Sequence, residues 1–160
     1  MNFQQADALN EAIRAIGIRH RALAISALAP LGIHPGHKLL LLELEGGPRT
    51  QAQLAAASGY EPPSITESVR QLETAGYVIR RPSPSDARAT MVELSDRGRS
   101  LLPKVKAAWR QLAEQTIAGL SSSTADQLTE VLSDLASGLA SRDLPTKDIP
   151  TYRARPHRPR

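Results

Sequence analysis

The sequence predicts a mostly helical protein with one small β-hairpin, which places it in the α+β class with little sheet. Apolar residues recur at helical spacing along most of the 160-residue chain. Between Gly76 and Gly98 that spacing gives way to the alternation of Thr90, Val92 and Leu94, which is typical of a half-buried strand. Two short helices separated only by a Ser-Gly turn precede this hairpin. At this length the chain suits one domain with extensions, or one subunit of an oligomer.

An apolar stripe and proline and glycine signals define the first two helices. The stripe of the first helix consists of Leu9, Ile13, Ile16, His20, Leu23 and Ala27. The segment 29–32, Ala-Pro-Leu-Gly, is expected to end this helix. Pro35 then opens a short second helix, because the first helical position needs no amide donor. Gly46 and Gly47 stop it.

Capping residues bound the next two helices. Thr50 is the expected N-cap of a third helix, which Gly59 closes. The fourth helix begins at the Pro62-Pro63 pair and ends at Gly76. Its inward face is expected to consist of Ile65, Val69 and Leu72.

The hairpin is predicted over about residues 77–94, and Ser95 is the expected N-cap of a long helix after it. Pro103 is expected to bend or loosen the early turns of that helix. A last helix with a narrow apolar stripe follows the Ser-Ser-Ser-Thr segment. Its stripe consists of Leu128, Val131, Leu132, Leu135 and Leu139. Residues 141–160 show no periodicity and are predicted to form a basic, mobile tail.

Positive charge is concentrated in two places. The net charge is +4, and residues 141–160, with six basic and two acidic groups, account for all of it. The remaining chain is neutral but polarised, because residues 70–110 carry nine basic and four acidic groups. This window surrounds the hairpin. An uneven distribution of this kind indicates an anionic partner more clearly than the total charge does.

Several classes of protein are not expected. The chain has no cysteine, which excludes disulfides, thiol switches and cysteine-based zinc sites. The N-terminal residues lack the basic and apolar regions of a signal peptide, and no apolar run approaches the roughly 20 residues of a membrane helix. A cytoplasmic protein without membrane contact is therefore expected. Since there is no glycine-rich phosphate loop and the serines cluster at caps and turns, neither an enzyme nor a bound cofactor is predicted.

The order of elements predicts a winged helix-turn-helix that contacts double-stranded DNA. Two helices of about eight and fourteen residues are joined by a tight turn and followed by a basic hairpin, the wing. The outward face of the second helix presents short polar side chains able to reach base edges in a major groove. The candidates on this face are Pro63, Ser64, Thr66, Glu67, Arg70 and Gln71. A stiff loop carrying Arg88 suits the negative potential of a neighbouring minor groove, and Arg80 and Arg81 are candidate phosphate contacts.

Residues 31–103 resemble the core of the MarR-type (multiple-antibiotic-resistance) transcriptional regulators. The most specific parts are SITESVRQLETAGYVIRR and the wing SDARATMVELSDRGR, where the family shows an Asp-x-Arg before a strand and a helix-capping Ser or Thr. With the flanking helices the resemblance covers about 140 residues. It implies a homodimer with interlocking outer helices, recognition helices in consecutive major grooves and a wing arginine in the minor groove. On this sequence Arg88 is that arginine, and Asp86 orients the wing.

Three alternatives stay open at the DNA-facing residues. Many members of the family have a basic residue where this chain has Glu67, so this carboxylate either accepts a hydrogen bond from a cytosine amino group or only pairs with Arg70 or Gln71 on the surface. Arg80 and Arg81 could be a solvated strand end. Arg88 could close the hairpin against Asp86.

A small-molecule site is a weaker expectation. His20, His37 and Trp109 are candidates for contact with a phenolic or anionic effector, although interface or core packing explains His20 and Trp109 as well. His34 and His37 lie near the start of the second helix, where the family's effector cleft opens. No metal site is predicted there, because no carboxylate or cysteine lies at ligand spacing beside these two histidines.

The expected organisation has residues 31–100 as the winged core, with residues 1–30 and 95–140 as dimerisation helices. The stripes of the outer helices are more than this small core can cover, so a homodimer is predicted. The expected function is a sequence-specific transcriptional regulator, a repressor of a pseudo-palindromic operator that an effector releases. The alternative is a winged-helix protein–protein interaction module without sequence-specific DNA binding, which the basic wing disfavours and Glu67 keeps open.

Overall fold

The computed structural model describes residues 1–83 and 89–140. Six α-helices are present in these ranges: α1 Phe3–Leu28, α2 Pro35–Glu43, α3 Gln51–Ser58, α4 Pro62–Thr74, α5 Asp96–Ile117 and α6 Ser122–Ala140. Three strands accompany them: β1 Arg49–Thr50, β2 Val78–Pro82 and β3 Thr90–Leu94. Asp86, Arg88 and the predicted mobile tail 141–160 lie outside the described residues. The predicted α+β class, mostly helical with a small sheet, is confirmed.

The sheet is antiparallel with strand order β1-β3-β2. In the wing, β2 and β3 pair from Val78 opposite Leu94 to Pro82 opposite Thr90. Strand β1 was not predicted, because two residues are too few to show an alternating pattern; Arg49 pairs with Val92 in it. Strand β1 thus hydrogen-bonds the segment that precedes α3 to the wing strand β3.

Side-chain caps set the helix boundaries, as the sequence predicted at two sites. The Thr50 hydroxyl accepts from the Gln53 amide in a capping box, and the Ser95 hydroxyl accepts from the Gly98 amide. Gly59 ends α3 in the left-handed region, with φ of 69°. Helix α5 continues without interruption through Pro103.

Residues 1–118 form one compact unit with a single apolar core. The predicted inward face of α4 is confirmed, because Ile65, Val69 and Leu72 are each at most 1% exposed. They pack in one cluster with Val78 and Val92 of the wing strands. Packing in this core thus fixes the position of α4 relative to strands β2 and β3 of the wing.

Two apolar stripes are exposed on the described chain. In α1 the exposed apolar residues include Leu9, Ile13, Ile16 and Leu23, between 45 and 59% exposed. In α6, which belongs to a second unit beginning at Gly119, they are Val131, Leu132, Leu135 and Leu139, between 43 and 62% exposed. No helix within the described ranges combines the length and the hydropathy needed to cross a bilayer.

Candidate nucleic-acid interface

The face of α4 opposite the core carries the side chains that the sequence predicted for it. Pro63, Thr66, Glu67 and Arg70 are exposed, and Ser64 and Gln71 are partly exposed. The proline pair occupies the first two helical positions, and the N-cap Glu61 makes no side-chain cap hydrogen bond. The result is a helix with an apolar inner face and a polar outer face, lying directly before the wing.

Glu67, Arg70 and Gln71 form one hydrogen-bonded cluster on this face. The Arg70 guanidinium donates to both carboxylate oxygens of Glu67, from Nη2 to Oε1 over 2.6 Å and from Nε to Oε2 over 2.9 Å. Gln71 Nε2 donates to the same Oε1 over 2.7 Å. The Arg70 guanidinium, followed by Gln71, lowers the pKa of Glu67 to about 2. The surface pairing considered for Glu67 is therefore present, and it supplies a counter-charge to the carboxylate.

Thr66 links the face to the preceding helix. Its Oγ1 lies 3.1 Å from the Pro62 carbonyl oxygen and 3.2 Å from Gln51 Oε1. A hydroxyl has one proton, so it donates to one of these acceptors at a time. Gln51, at the start of α3, was not predicted as part of the face, because a glutamine at a helix start has no distinctive sequence pattern.

The buried histidine His37 contacts Gln71 of this cluster, and no sequence pattern predicted the contact. His37 of α2 is 6% exposed, and its Nε2 lies 3.0 Å from Gln71 Oε1. His34 is the N-cap of α2; its Nδ1 accepts from the Gly36 and His37 amides, and its ring lies 3.5 Å from that of His37, centroid to centroid. His37, expected as an effector contact, is thus hydrogen-bonded to α4.

The two wing arginines that the structure describes pair with acidic neighbours. Arg80 Nε donates to Glu73 Oε2 over 2.7 Å, and Arg81 Nη2 lies 2.8 Å from Glu93 Oε1. The sequence did not predict these partners, because Glu73 approaches Arg80 from the end of α4 and Glu93 approaches Arg81 through the strand register. Since both ion pairs are solvent-accessible, each contributes little to stability and can be exchanged for a phosphate contact.

The other effector candidates have separate surroundings. Trp109 packs partly buried against the core, and the Lys38 ammonium lies 4.1 Å from the centroid of its ring. His20 is partly exposed on α1. Among the residues that the structure describes, no group of three metal-ligating side chains occurs.

Acid is expected to destabilise the protein through His37. Burial, followed by the charge of His34, lowers the pKa of His37 from 6.5 to about 4, against an opposing hydrogen bond to Gln71. The unfolded chain therefore takes up a proton first. The contribution of neutral His37 is complete above pH 6.5 and is lost as the pH falls towards 4, at most roughly 3 kcal/mol.

Urea unfolding between pH 7 and pH 4 measures this effect. The slope of unfolding free energy against pH should be shallower in His37→Leu than in the wild type. A residual slope from His34 is expected in both proteins, because burial lowers its pKa as well. Identical slopes would contradict the assignment.

Comparison with known proteins identifies the family. The MarR family profile matches residues 31–89, which include α2, α3, α4 and the first wing strand, β2. The chain is 30% identical to a probable transcriptional regulator from Pseudomonas aeruginosa, over 79% of this chain and 96% of that one, with a TM-score of 0.73.

More distant structures share the fold. A mutant MarR from E. coli complexed with operator DNA is 20% identical, over 84% of this chain and 98% of that one, with a TM-score of 0.73. BpsR from Bordetella bronchiseptica, whose DNA binding is regulated by 6-hydroxynicotinic acid, is 17% identical over 81% of this chain and 98% of that one, with a TM-score of 0.71. Members of this family are transcriptional regulators and not enzymes, as the sequence predicted. The chain belongs to the MarR family of transcriptional regulators.

Proposed function

We propose that this regulator is a repressor that binds a pseudo-palindromic operator as a homodimer, with α4 in the major groove and the wing along the minor groove. The observation that carries this proposal is the amphipathic character of α4. Its inner face is buried, and its outer face is polar and adjacent to the wing. An exposed helix face of short polar side chains is the surface that reads base edges.

The electrostatics of the face support DNA rather than a protein partner. Arg70 supplies the counter-charge of Glu67 at 2.6 Å, so the carboxylate does not face phosphate as an isolated anion. Arg80 and Arg81 are consecutive residues of the edge strand β2 and place one cationic group on each face of the wing, and the sequence adds Arg88 between the two wing strands. The E. coli MarR mutant, which has this fold, forms a complex with operator DNA, and this supports DNA as the partner.

The exposed apolar stripes support a homodimer. Large apolar residues along one side of α1 and of α6 are costly in water and are a common feature of subunit interfaces. A two-fold dimer buries both copies of each stripe. It also sets the separation of the two α4 helices, which for consecutive major grooves is roughly 34–36 Å.

Effector control is the remaining part of the proposal. The regulation of BpsR by 6-hydroxynicotinic acid supports a small phenolic or anionic ligand here. His20, His37 and Trp109 stay the candidates for its contact. Such a ligand releases the operator only if it binds better to a dimer whose α4 spacing misses the grooves.

Selection of bound duplexes from a random pool, at near-physiological salt, tests the proposed function. An inverted repeat with half-sites one helical turn apart is the expected result. Recovery of no motif by a folded dimer would contradict sequence-specific repression and would favour the protein-interaction alternative.

The substitution Glu67→Gln is expected to change base preference rather than overall affinity. Glu67 Oε2 receives one hydrogen bond from Arg70, so the carboxylate keeps a lone pair that can accept from a cytosine amino group. Glutamine keeps one carbonyl oxygen, which would accept from Arg70 and Gln71 at the Oε1 position and leave an NH₂ group in place of Oε2. Replacing the acceptor at Oε2 with a donor should reduce discrimination at one base pair by about 1–3 kcal/mol. Affinities for the four variants of each operator position measure it. Equal losses on all variants, or an unchanged preference, would remove Glu67 from base reading.

A further inference from the structure

The orientation of Gln71 is determined from both ends of its amide. Its Nε2 lies 2.7 Å from Glu67 Oε1, and its Oε1 lies 3.0 Å from His37 Nε2. An ionised carboxylate only accepts hydrogen bonds, so Gln71 must present its NH₂ group to Glu67. Its carbonyl oxygen therefore faces His37.

The tautomer of His37 follows from this orientation. A neutral imidazole has one N–H, and the Gln71 carbonyl oxygen requires it at Nε2. Nδ1 is then a lone-pair acceptor, and it is buried without a hydrogen-bond partner among the described residues. The residue as a whole is buried, with an exposed fraction of 6%.

Selection for stability alone would not favour a buried histidine whose Nδ1 is unpartnered in the part of the chain that the structure describes. A buried acceptor without a donor is destabilising, and an apolar side chain of similar size would avoid that penalty. The hydrogen bond that its ring makes in return runs to Gln71 of α4, 34 residues along the chain. Because Nδ1 has no partner within the described ranges, the role of this histidine must come from the hydrogen bond that its Nε2–H donates to Gln71.

We propose that His37 is a specificity-determining positioning residue: its Nε2–H holds the Gln71 amide, which orients the Glu67 carboxylate and its Arg70 partner towards DNA. This inference rests on the proposed function. His37 itself is buried and touches no base. It acts by restricting Gln71 to one orientation. The side chains of the Glu67, Arg70 and Gln71 cluster are then already oriented before DNA binds, so they lose less conformational freedom on binding.

Two matched substitutions separate positioning from stability. In His37→Gln the side-chain amide can place an N–H near the position of Nε2, whereas in His37→Asn the shorter chain places it near Nδ1. Both variants are polar and neutral at this buried site. Discrimination is measured as the affinity ratio between the selected operator and single-base variants at the pair that Glu67 reads.

We expect His37→Gln to keep the wild-type ratio and His37→Asn to lower it about 5- to 20-fold, which corresponds to part of one base contact. Affinity for unrelated DNA should change less than about twofold, because phosphate contacts dominate it. In a Gln71→Met background, where the amide is absent, neither substitution at His37 should change the ratio further. Equal ratios for the Gln and Asn variants, or additive effects with Gln71→Met, would overturn the proposal.

A direct readout does not depend on DNA binding. The ¹⁵N shifts of the His37 ring in the wild-type protein should report the Nε2–H tautomer at pH 7. The Nδ1–H tautomer would overturn the proposal even if no variant folds. If the wild-type protein selects no DNA motif, the proposed function is contradicted. If His37→Asn selects the same motif as the wild type with the same discrimination, only this inference is contradicted.

Discussion

Replacing Gly98 with alanine is expected to lower the free energy of unfolding by about 2–4 kcal/mol. A Cβ at this position would lie 2.0 Å from the Tyr77 carbonyl oxygen, which is backbone and cannot rotate away. The same carbonyl accepts the Ser95 amide at 3.0 Å, so any shift also strains the N-cap of α5. The substitution therefore forces α5 away from the start of the wing.

The matched control is Gly46→Ala. Gly46 does not have a positive φ, and a Cβ there would meet nothing within 4 Å. Urea unfolding of both variants should show a large loss for Gly98→Ala and a change of less than about 0.5 kcal/mol for Gly46→Ala. Equal stabilities for the two variants would show that α5 and the wing are not in close contact at Gly98.

The substitution Leu135→Glu is expected to convert the proposed dimer into monomers and to weaken operator binding by at least about 100-fold. Leu135 lies in the apolar stripe of α6 and is 43% exposed in the single chain. A carboxylate there would be buried without a partner in a dimer. A monomer holds only one half-site, so it loses the gain that comes from linking two binding modules.

Ser137→Glu is the control for this prediction. It adds the same charge two residues away, on the side of α6 opposite the stripe. Sedimentation should give one chain for Leu135→Glu and two for Ser137→Glu, and only the first variant should lose operator affinity. A dimeric Leu135→Glu protein with full affinity would exclude the α6 stripe from the interface.

Local signals in the sequence predicted most of the fold. Helix caps such as Thr50 and Ser95 act within three residues, and the inward face of α4 follows from helical spacing alone. Both features depend on neighbours in the chain, so they can be identified before any tertiary contact is known.

The missed features all depend on contacts between distant residues. The sequence placed the polar residues of α4 on one face, but not the link from Gln71 to His37, because no periodicity relates residues 34 positions apart. The partner of Arg81 follows from the strand register, which places it near Glu93. Strand β1 exists only because β3 lies beside it.

Hydroxyl-radical and major-groove footprinting of the selected operator tests the proposed geometry of the bound complex. We expect two protected major-groove patches on the same face of the duplex, centred roughly 34–36 Å or 10–10.5 base pairs apart, with protected minor-groove segments beside them. A single patch, or two patches separated by half a helical turn, would contradict a two-fold dimer that places α4 in consecutive major grooves.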